Sequence, residues 1–141
     1  PKTPKPQYCE KMKLKFVNII SQNNILNVKK CNLYLRKDYK TRLIVNEAVD
    51  RGYLEELDQD KIHFLLMPLI HSEDISDHIF GHKLIDTYLK SFEHFDKVKK
   101  AWNDHTVAIR KFGRYPHRNI ILNRKSTPEE EDFLKQPNSS W

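Results

Sequence analysis

The stretch from His94 to Phe112 has the clearest helical periodicity in this chain. Its apolar residues return every three or four positions, which places them on one face of a helix. That face holds Phe95, Val98, Trp102, His105, Thr106 and Ile109, whereas the charged residues lie largely on the other faces. Gly113 follows directly, in the position where a left-handed glycine commonly ends a helix. The pattern predicts an amphipathic helix, and therefore a fold built by packing such helices together.

Start and stop signals predict two helices upstream of Gly52 and leave one segment between them open. We expect an amphipathic helix over Gln7–Gln22. The segment from Ile25 to Tyr39 has no clean period and is open to a loop, a short helix or a small extended piece. Thr41 is typical of an N-cap, and predicts a helix through Arg51 with Gly52 just past its end.

The chain from Asp58 onward adds three more predicted helices. Asp58 or Asp60 can cap a strongly apolar helix, in which Pro68 should produce a kink or the end of the helix, since proline removes a backbone donor. A helix of about five turns should follow, beginning at Ser72 and running to Phe92. Threonine, proline and two acids in succession predict a short last helix from Pro128 to Lys135.

These helices define the predicted fold class, and the composition agrees with it. Only 3 of the 141 residues are glycine, which argues against glycine-rich and multi-turn all-β folds. We expect a single all-α domain over residues 7–141, with five or six helices in antiparallel hairpins. No apolar run is long enough to span a bilayer. The 2 cysteines form no CxxC pair, so we expect a reducing compartment, either the cytoplasm or, as the alternative, the mitochondrion.

Positive charge is concentrated at the start of the chain. Residues 1–42 hold 11 lysines and arginines against 2 acids, whereas residues 43–141 hold 14 against 17. Residues 1–15 are interpreted as a basic, flexible arm that runs into the first helix. Two alternatives stay open, namely an arm that binds nucleic-acid phosphates or an acidic partner, and the remnant of a targeting segment.

Two polar segments stand where long helices end, and the first is His71-Ser72-Glu73-Asp74. In the structural interpretation, Glu73 and Asp74 lie in the first turn of a helix beginning at Ser72 and stabilise its positive end. In the functional interpretation, a histidine and two carboxylates converge on a cavity as a general base or a ligand site. Both interpretations are open.

The second polar segment runs from Arg110 to Asn119 and is rich in hydrogen-bond donors. Arg114, His117, Arg118 and Asn119 could together bind a phosphate or a carboxylate. Alternatively, the arginines could bind Glu73 and Asp74 in an internal ion-pair network. His105 lies on the apolar face of its helix, either as a hydrogen-bonded core residue or as the wall of a pocket.

Several familiar chemical signatures are missing from the sequence. His78 and His82 share the spacing of a two-histidine metal pair but lack the glutamate of the HExxH order. Ser72 is not flanked by the glycines of the Gly-x-Ser-x-Gly nucleophile elbow found in serine hydrolases. The sequence also contains no glycine-rich loop of the kind that binds phosphate. We therefore predict neither a metal nor a cofactor.

These motifs, in their order along the chain, resemble one family. The matching residues are Leu69 to Asp74, His105, Phe112 to Asn119, Ile121-Leu122, Arg124, Ser126 to Glu130, Phe133-Leu134 and Ser139 to Trp141. Together they resemble domain-of-unknown-function family 924 from about Leu43 to the last residue. The resemblance implies an all-helical, tetratricopeptide-like fold and an important polar cluster, but it implies no reaction. One family motif, Asp-Gln-Phe-Pro-Arg-Asn, is degraded here, because Ser21 stands in the Asp position and the Phe-Pro-Arg part is missing.

The leading hypothesis for function is a binding module whose polar groove takes a peptide or a small anionic ligand. The alternative is a hydrolase or lyase acting on a phosphate- or carboxylate-bearing substrate, and a second alternative is nucleic-acid binding through the basic arm. In these hypotheses the candidate catalytic residues are His71, Glu73 and His117, and the candidate ligand-binding residues are Asp74, His105, Arg114, Arg118 and Asn119.

Overall fold

The computed structural model describes residues 31–137 and 139–140, with side chains from Lys40 onward. Five α-helices make up this part of the chain, and it contains no strand. They are α1 (Cys31–Asp50), α2 (Gln59–Ile70), α3 (Ile75–Tyr88), α4 (Phe95–Phe112) and α5 (Pro128–Leu134). The predicted all-α class is confirmed, whereas the tetratricopeptide-like stack stays a prediction. The basic arm, the helix over Gln7–Gln22 and the degraded motif near Ser21 lie outside the described residues.

The first described helix begins earlier than the sequence predicted. Thr41 is not an N-cap, because α1 already begins at Cys31. Residues 31–40 contain no glycine or proline, so nothing in the covalent chain stops the helix from extending upstream of Thr41. The predicted end is confirmed: Gly52 adopts a left-handed backbone with φ of 69° and leads into a short 3-10 helix, Tyr53–Glu56.

Helix α2 follows its predicted signals closely. Asp58 is the N-cap, and its carboxylate accepts a hydrogen bond from the Lys61 backbone N–H at 3.0 Å. The helix contains Pro68 and ends two residues later at Ile70, as the proline predicted.

Helix α3 is shorter than predicted and begins later. Its N-cap is Asp74, which accepts from the Ser76 N–H at 2.9 Å, so Ser72 and Glu73 precede the helix and do not lie in its first turn. The helix also ends at Tyr88, before the predicted Phe92. The Ser72 hydroxyl accepts from the Asp74 N–H at 3.0 Å and donates to Asp77, so it binds the turn before the helix, whereas the Asp74 carboxylate caps the helix itself.

The last two helices agree with the sequence. Helix α4 ends at Gly113, whose φ is 66°. Helix α5 begins with a complete capping box between Thr127 and Glu130, with Pro128 at its first position. None of the described helices is long and apolar enough to cross a membrane.

Consecutive helices pack against each other, and the core lies between α2, α3 and α4. The centre of this core is the indole of Trp102, which is 1% exposed and packs directly over Gly81 of α3. Glycine at this position allows the two helices to approach closely, because any side chain would occupy the space of the indole.

Replacing Gly81 with alanine should therefore destabilise the domain by about 2 kcal/mol, since overpacking outweighs the helix propensity gained. The added Cβ would lie 2.1 Å from two ring carbons of Trp102. Chemical denaturation followed by circular dichroism measures the effect. The matched control is Lys83→Ala at an exposed position of the same helix, which should change stability by less than about 0.5 kcal/mol. Equal stability of the two variants would contradict the packing.

Candidate functional site

The end of α2, the start of α3 and the end of α4 surround a cleft of about 520 Å³. This volume is in the range of small-molecule sites. Nine residues line the cleft: Arg42, His71, Ser72, Glu73, Asp74, Ile75, Ile109, Gly113 and Arg118. Four of the predicted site residues are thus brought together, namely His71, Glu73, Asp74 and Arg118.

Three side chains hold the segment that forms the floor of the cleft. They donate to the last carbonyl of α2 and to the two carbonyls that follow it: Tyr115 Oη to Ile70, Arg118 Nη1 to His71 at 3.0 Å, and His78 Nε2 to Ser72 at 2.9 Å. The last carbonyls of a helix have no partner within it, so these side chains replace the missing donors. The cleft therefore rests on a fixed backbone.

Glu73 is fully engaged by the loop that follows α4. Its carboxylate accepts from the Tyr115 N–H at 3.0 Å and from two nitrogens of Arg124, at 3.0 and 2.8 Å. Burial alone would raise the pKa of Glu73, but the hydrogen bonds from Arg124 and Tyr115 outweigh it and lower the pKa. Glu73 is therefore an ionised anchor for the loop.

Ser72 takes part in a second paired group on the other side of the cleft. Its hydroxyl donates to Asp77 at 2.5 Å and accepts from Arg42 Nη1 at 2.9 Å, while Arg42 also forms an ion pair with Asp77. This arrangement links α1 to α3, and the Arg42 guanidinium neutralises the carboxylate that the Ser72 hydroxyl contacts.

Asp74 lies at the exposed rim of the cleft. Both of its side-chain hydrogen bonds use Oδ1, which accepts from the backbone N–H and the hydroxyl of Ser76. These bonds lower the pKa of Asp74, and the positive charge of Arg42 lowers it further. Asp74 is therefore an ionised carboxylate that forms no ion pair with any described residue.

Arg118 differs from the other arginines around the cleft. Its guanidinium lies 4.8 Å from the centre of the Tyr115 ring, a stacking geometry that fixes its plane. Only Nη1 has a hydrogen bond within the described part of the chain, to the His71 carbonyl. Arg42, Arg114 and Arg124 each form an ion pair, whereas Arg118 forms none with the residues that the structure describes.

The histidines near the cleft are held in their neutral form. The ring of His71 lies 5.6 Å from that of His105, edge to face, and burial lowers the pKa of both, with the charge of Arg118 contributing at His71. His105 is buried behind the cleft, where Nδ1 donates to the Ala101 carbonyl at 2.7 Å. His117 packs against Tyr115 and does not line the cleft, and burial lowers its pKa as well.

Arg114 and Asn119 lie in a different cluster, centred on the buried carboxylate of Glu130. Arg114 binds Glu130 in a bidentate pair, at 2.6 and 2.9 Å, and Asn119 donates to it at 3.1 Å. Both residues fix the loop to α5. Neither residue lines the cleft. The predicted donors therefore separate into Arg118 at the cleft and Arg114 with Asn119 at Glu130.

The sequence did not predict the long-range ion pairs of four residues that organise this region. They are Arg42, Asp77, Arg124 and Glu130. Arg42 lies in the basic part of the chain, residues 1–42, and no motif there singled it out. The partners of the other arginines are far away in sequence, so no local signal identified the pairs. Within the described residues, no three His, Cys, Asp or Glu side chains are grouped so as to hold a metal.

Fold and site together define an all-helical domain with a polar cleft at the ends of three helices. The profile of the family described as bacterial proteins of unknown function (DUF924) matches residues 23–138. The chain therefore belongs to this family, as the motifs from Leu69 onward predicted.

One solved structure supports the same relationship. A protein of unknown function from Agrobacterium tumefaciens has 30% sequence identity and a TM-score of 0.60, over 72% of this chain and 54% of its own. The present chain thus spans about half the length of that protein. No curated protein matches the sequence.

Proposed function

We propose that the cleft binds a small ligand through a carboxylate or phosphate group, with Arg118 as the anion-binding side chain. The observation that carries the proposal is that Arg118 lines the cleft without an ion-pair partner among the described residues. A guanidinium offers donors in a planar fork that matches both anions. Stacking on Tyr115 and the bond to the His71 carbonyl hold that fork in place before any ligand arrives, which reduces the entropy lost on binding.

The same contacts favour binding over catalysis. An enzyme of the predicted kind needs Glu73 or Asp74 to orient a histidine base. The Glu73 oxygens instead accept from Arg124 and Tyr115, and among the described residues no imidazole forms a hydrogen bond with Asp74. A carboxylate–imidazole pair at the cleft is therefore missing from the contacts of the described residues, and we assign the site a binding role.

Replacing Arg118 with glutamine should weaken the binding of inorganic phosphate and hexanoate about 10- to 100-fold, because charge-assisted hydrogen bonds contribute roughly 1.5–3 kcal/mol. Arg118→Lys should bind with intermediate strength, since it keeps the charge but loses the fork. Isothermal titration calorimetry measures the affinities, and urea unfolding verifies that both variants fold. The matched control is Arg110→Gln, an exposed arginine of α4 that does not line the cleft. Unchanged affinity in Arg118→Gln would refute the proposal.

A further inference from the structure

The charges that line the cleft are not all available to a ligand. Two of them are neutralised by partners just outside the lining, because Arg42 pairs with Asp77 and Glu73 pairs with Arg124. Two remain without an ion pair in the described structure, namely the guanidinium of Arg118 and the carboxylate of Asp74. The cleft therefore presents one available charge of each sign.

The available atoms can be named on both residues. On Arg118, Nε and Nη2 have no hydrogen bond to any described residue, since its one bond uses Nη1. On Asp74, Oδ2 likewise has none there, since both of its bonds use Oδ1. A ligand can thus bind each residue without breaking the contacts that position it.

The wall of the cleft between these polar groups is partly apolar. Ile75, at the start of α3, is 37% exposed, and Ile109 of α4 adds a second aliphatic side chain to the lining. His71 contributes a ring whose lowered pKa keeps it neutral at pH 7. An aliphatic segment fits such a surface better than a further charge does.

We infer that the ligand is a small zwitterion, with its anionic group on Arg118, a cationic amine on Asp74 and an aliphatic segment against Ile75 and Ile109. The inference rests on the proposed anion binding and extends it. A ligand with negative charges alone would leave Asp74 unpaired and repel it, whereas a simple cation would do the same to Arg118. Only a ligand carrying both charges pairs both residues.

A set of matched compounds tests the inference. The zwitterions are glycine, β-alanine, 4-aminobutanoate and 6-aminohexanoate, whose charges are progressively farther apart. Hexanoate and hexylamine carry one charge each at similar length. Titration calorimetry should find one zwitterion that binds about 10-fold or more tighter than either singly charged compound, because only it forms both charge-assisted contacts. The chain length of that zwitterion measures the spacing of the two groups.

Substitutions separate the two ends of the ligand. Asp74→Asn should weaken binding of the best zwitterion about 10-fold while leaving hexanoate unchanged or tighter, and Arg118→Gln should weaken both. Asparagine is as good an N-cap as aspartate, so α3 should keep its start. The matched control is Asp58→Asn, the same change at the exposed N-cap of α2, which should leave every affinity unchanged.

The outcomes that overturn the inference differ from those that overturn the proposed function. If hexanoate binds as tightly as every zwitterion, or if Asp74→Asn does not weaken the best zwitterion, the inference fails and anion binding stands. If neither the zwitterions nor hexanoate and phosphate bind, both fail.

Discussion

Lowering the pH from 7 to 4 should reduce the free energy of unfolding by about 3 kcal/mol or more, because the fold buries neutral histidines. For His105, burial lowers the pKa from 6.5 to about 4, and the nearby rings of His71 and His78 contribute in the same direction. The Ala101 carbonyl and Asp104 oppose the shift without reversing it. Burial also lowers the pKa of His63, His71, His78, His82 and His117.

The direction of this pH dependence follows from the number of protons that the folded and unfolded states bind. Below pH 6.5 the unfolded chain takes up a proton at each of these histidines, whereas the folded chain does not until the pH reaches the lowered pKa. The unfolded state therefore binds more protons over this interval, and stability falls as the pH falls from 6.5 toward 4. Above pH 6.5 these histidines contribute no further change.

Urea unfolding at a series of pH values measures this dependence. His105→Phe keeps an aromatic ring beside His71 and Tyr115 but cannot titrate, so its stability should depend less steeply on pH. The matched control is His94→Gln at an exposed position, which should follow the wild-type curve. A wild-type stability that stays constant between pH 6.5 and 4.5 would contradict the burial of neutral histidines in the fold.

Replacing Glu130 with alanine should lower the free energy of unfolding by about 2–3 kcal/mol, because it leaves buried hydrogen-bond donors unpaired and removes part of a helix cap. Its side chain is almost fully buried and accepts four hydrogen bonds, two from Arg114, one from Asn119 and one from the Thr127 N–H. Alanine leaves the buried amide of Asn119 and the guanidinium of Arg114 without this carboxylate, and it also removes half of the capping box of α5.

Glu130 also predicts a second acid transition, separate from that of the histidines. The hydrogen bonds from Arg114 lower the pKa of Glu130 from 4.5 to about 2. The stability from this depressed pKa is fully present above pH 4.5 and is lost as the pH falls toward 2. Glu130→Gln should lack this transition while keeping more stability than alanine.

Denaturant unfolding of the wild type, Glu130→Ala and Glu130→Gln checks the predictions for Glu130. The matched control is Glu131→Ala, the next residue of α5, whose side chain is exposed and should contribute less than about 0.5 kcal/mol. If Glu130→Ala unfolds at the same denaturant concentration as Glu131→Ala, the Arg114–Glu130–Asn119 cluster does not hold the loop to α5.

Helix boundaries were predictable from the sequence where a local signal determines them. Asp58, Gly113 and Thr127 act through hydrogen bonds or backbone angles within a few residues, and the structure confirms each. Thr41 and Ser72 carry the same type of signal, but neither begins a helix, because neighbouring residues continue the helix or offer a better cap. A capping residue thus predicts a helix start only when the residues before it disfavour helix and no better cap follows it closely.

The polar segments were predictable as a set, but their pairings were not. Segment His71 to Asp74 and Arg118 line the same cleft, while their role there stays a prediction. Arg114 instead binds Glu130. The sequence already explained this glutamate as part of the helix start at Thr127, so it gave no reason to expect a second partner. Arg124 binds Glu73 across 51 positions of sequence, a distance at which periodicity and capping rules carry no information. Only the packing of α2, α3 and α4 decides which arginine remains without a partner carboxylate.

The most direct test of the account observes Arg118 itself. The Nε–H resonances of the arginines can be followed by ¹H–¹⁵N NMR while hexanoate or phosphate is added. If the cleft binds anions through Arg118, its Nε–H signal should shift saturably, and those of the exposed Arg110 and Arg51 should stay in place. A saturating ligand that leaves the Arg118 signal unmoved, or small shifts of equal size at all three arginines, would contradict anion binding by Arg118.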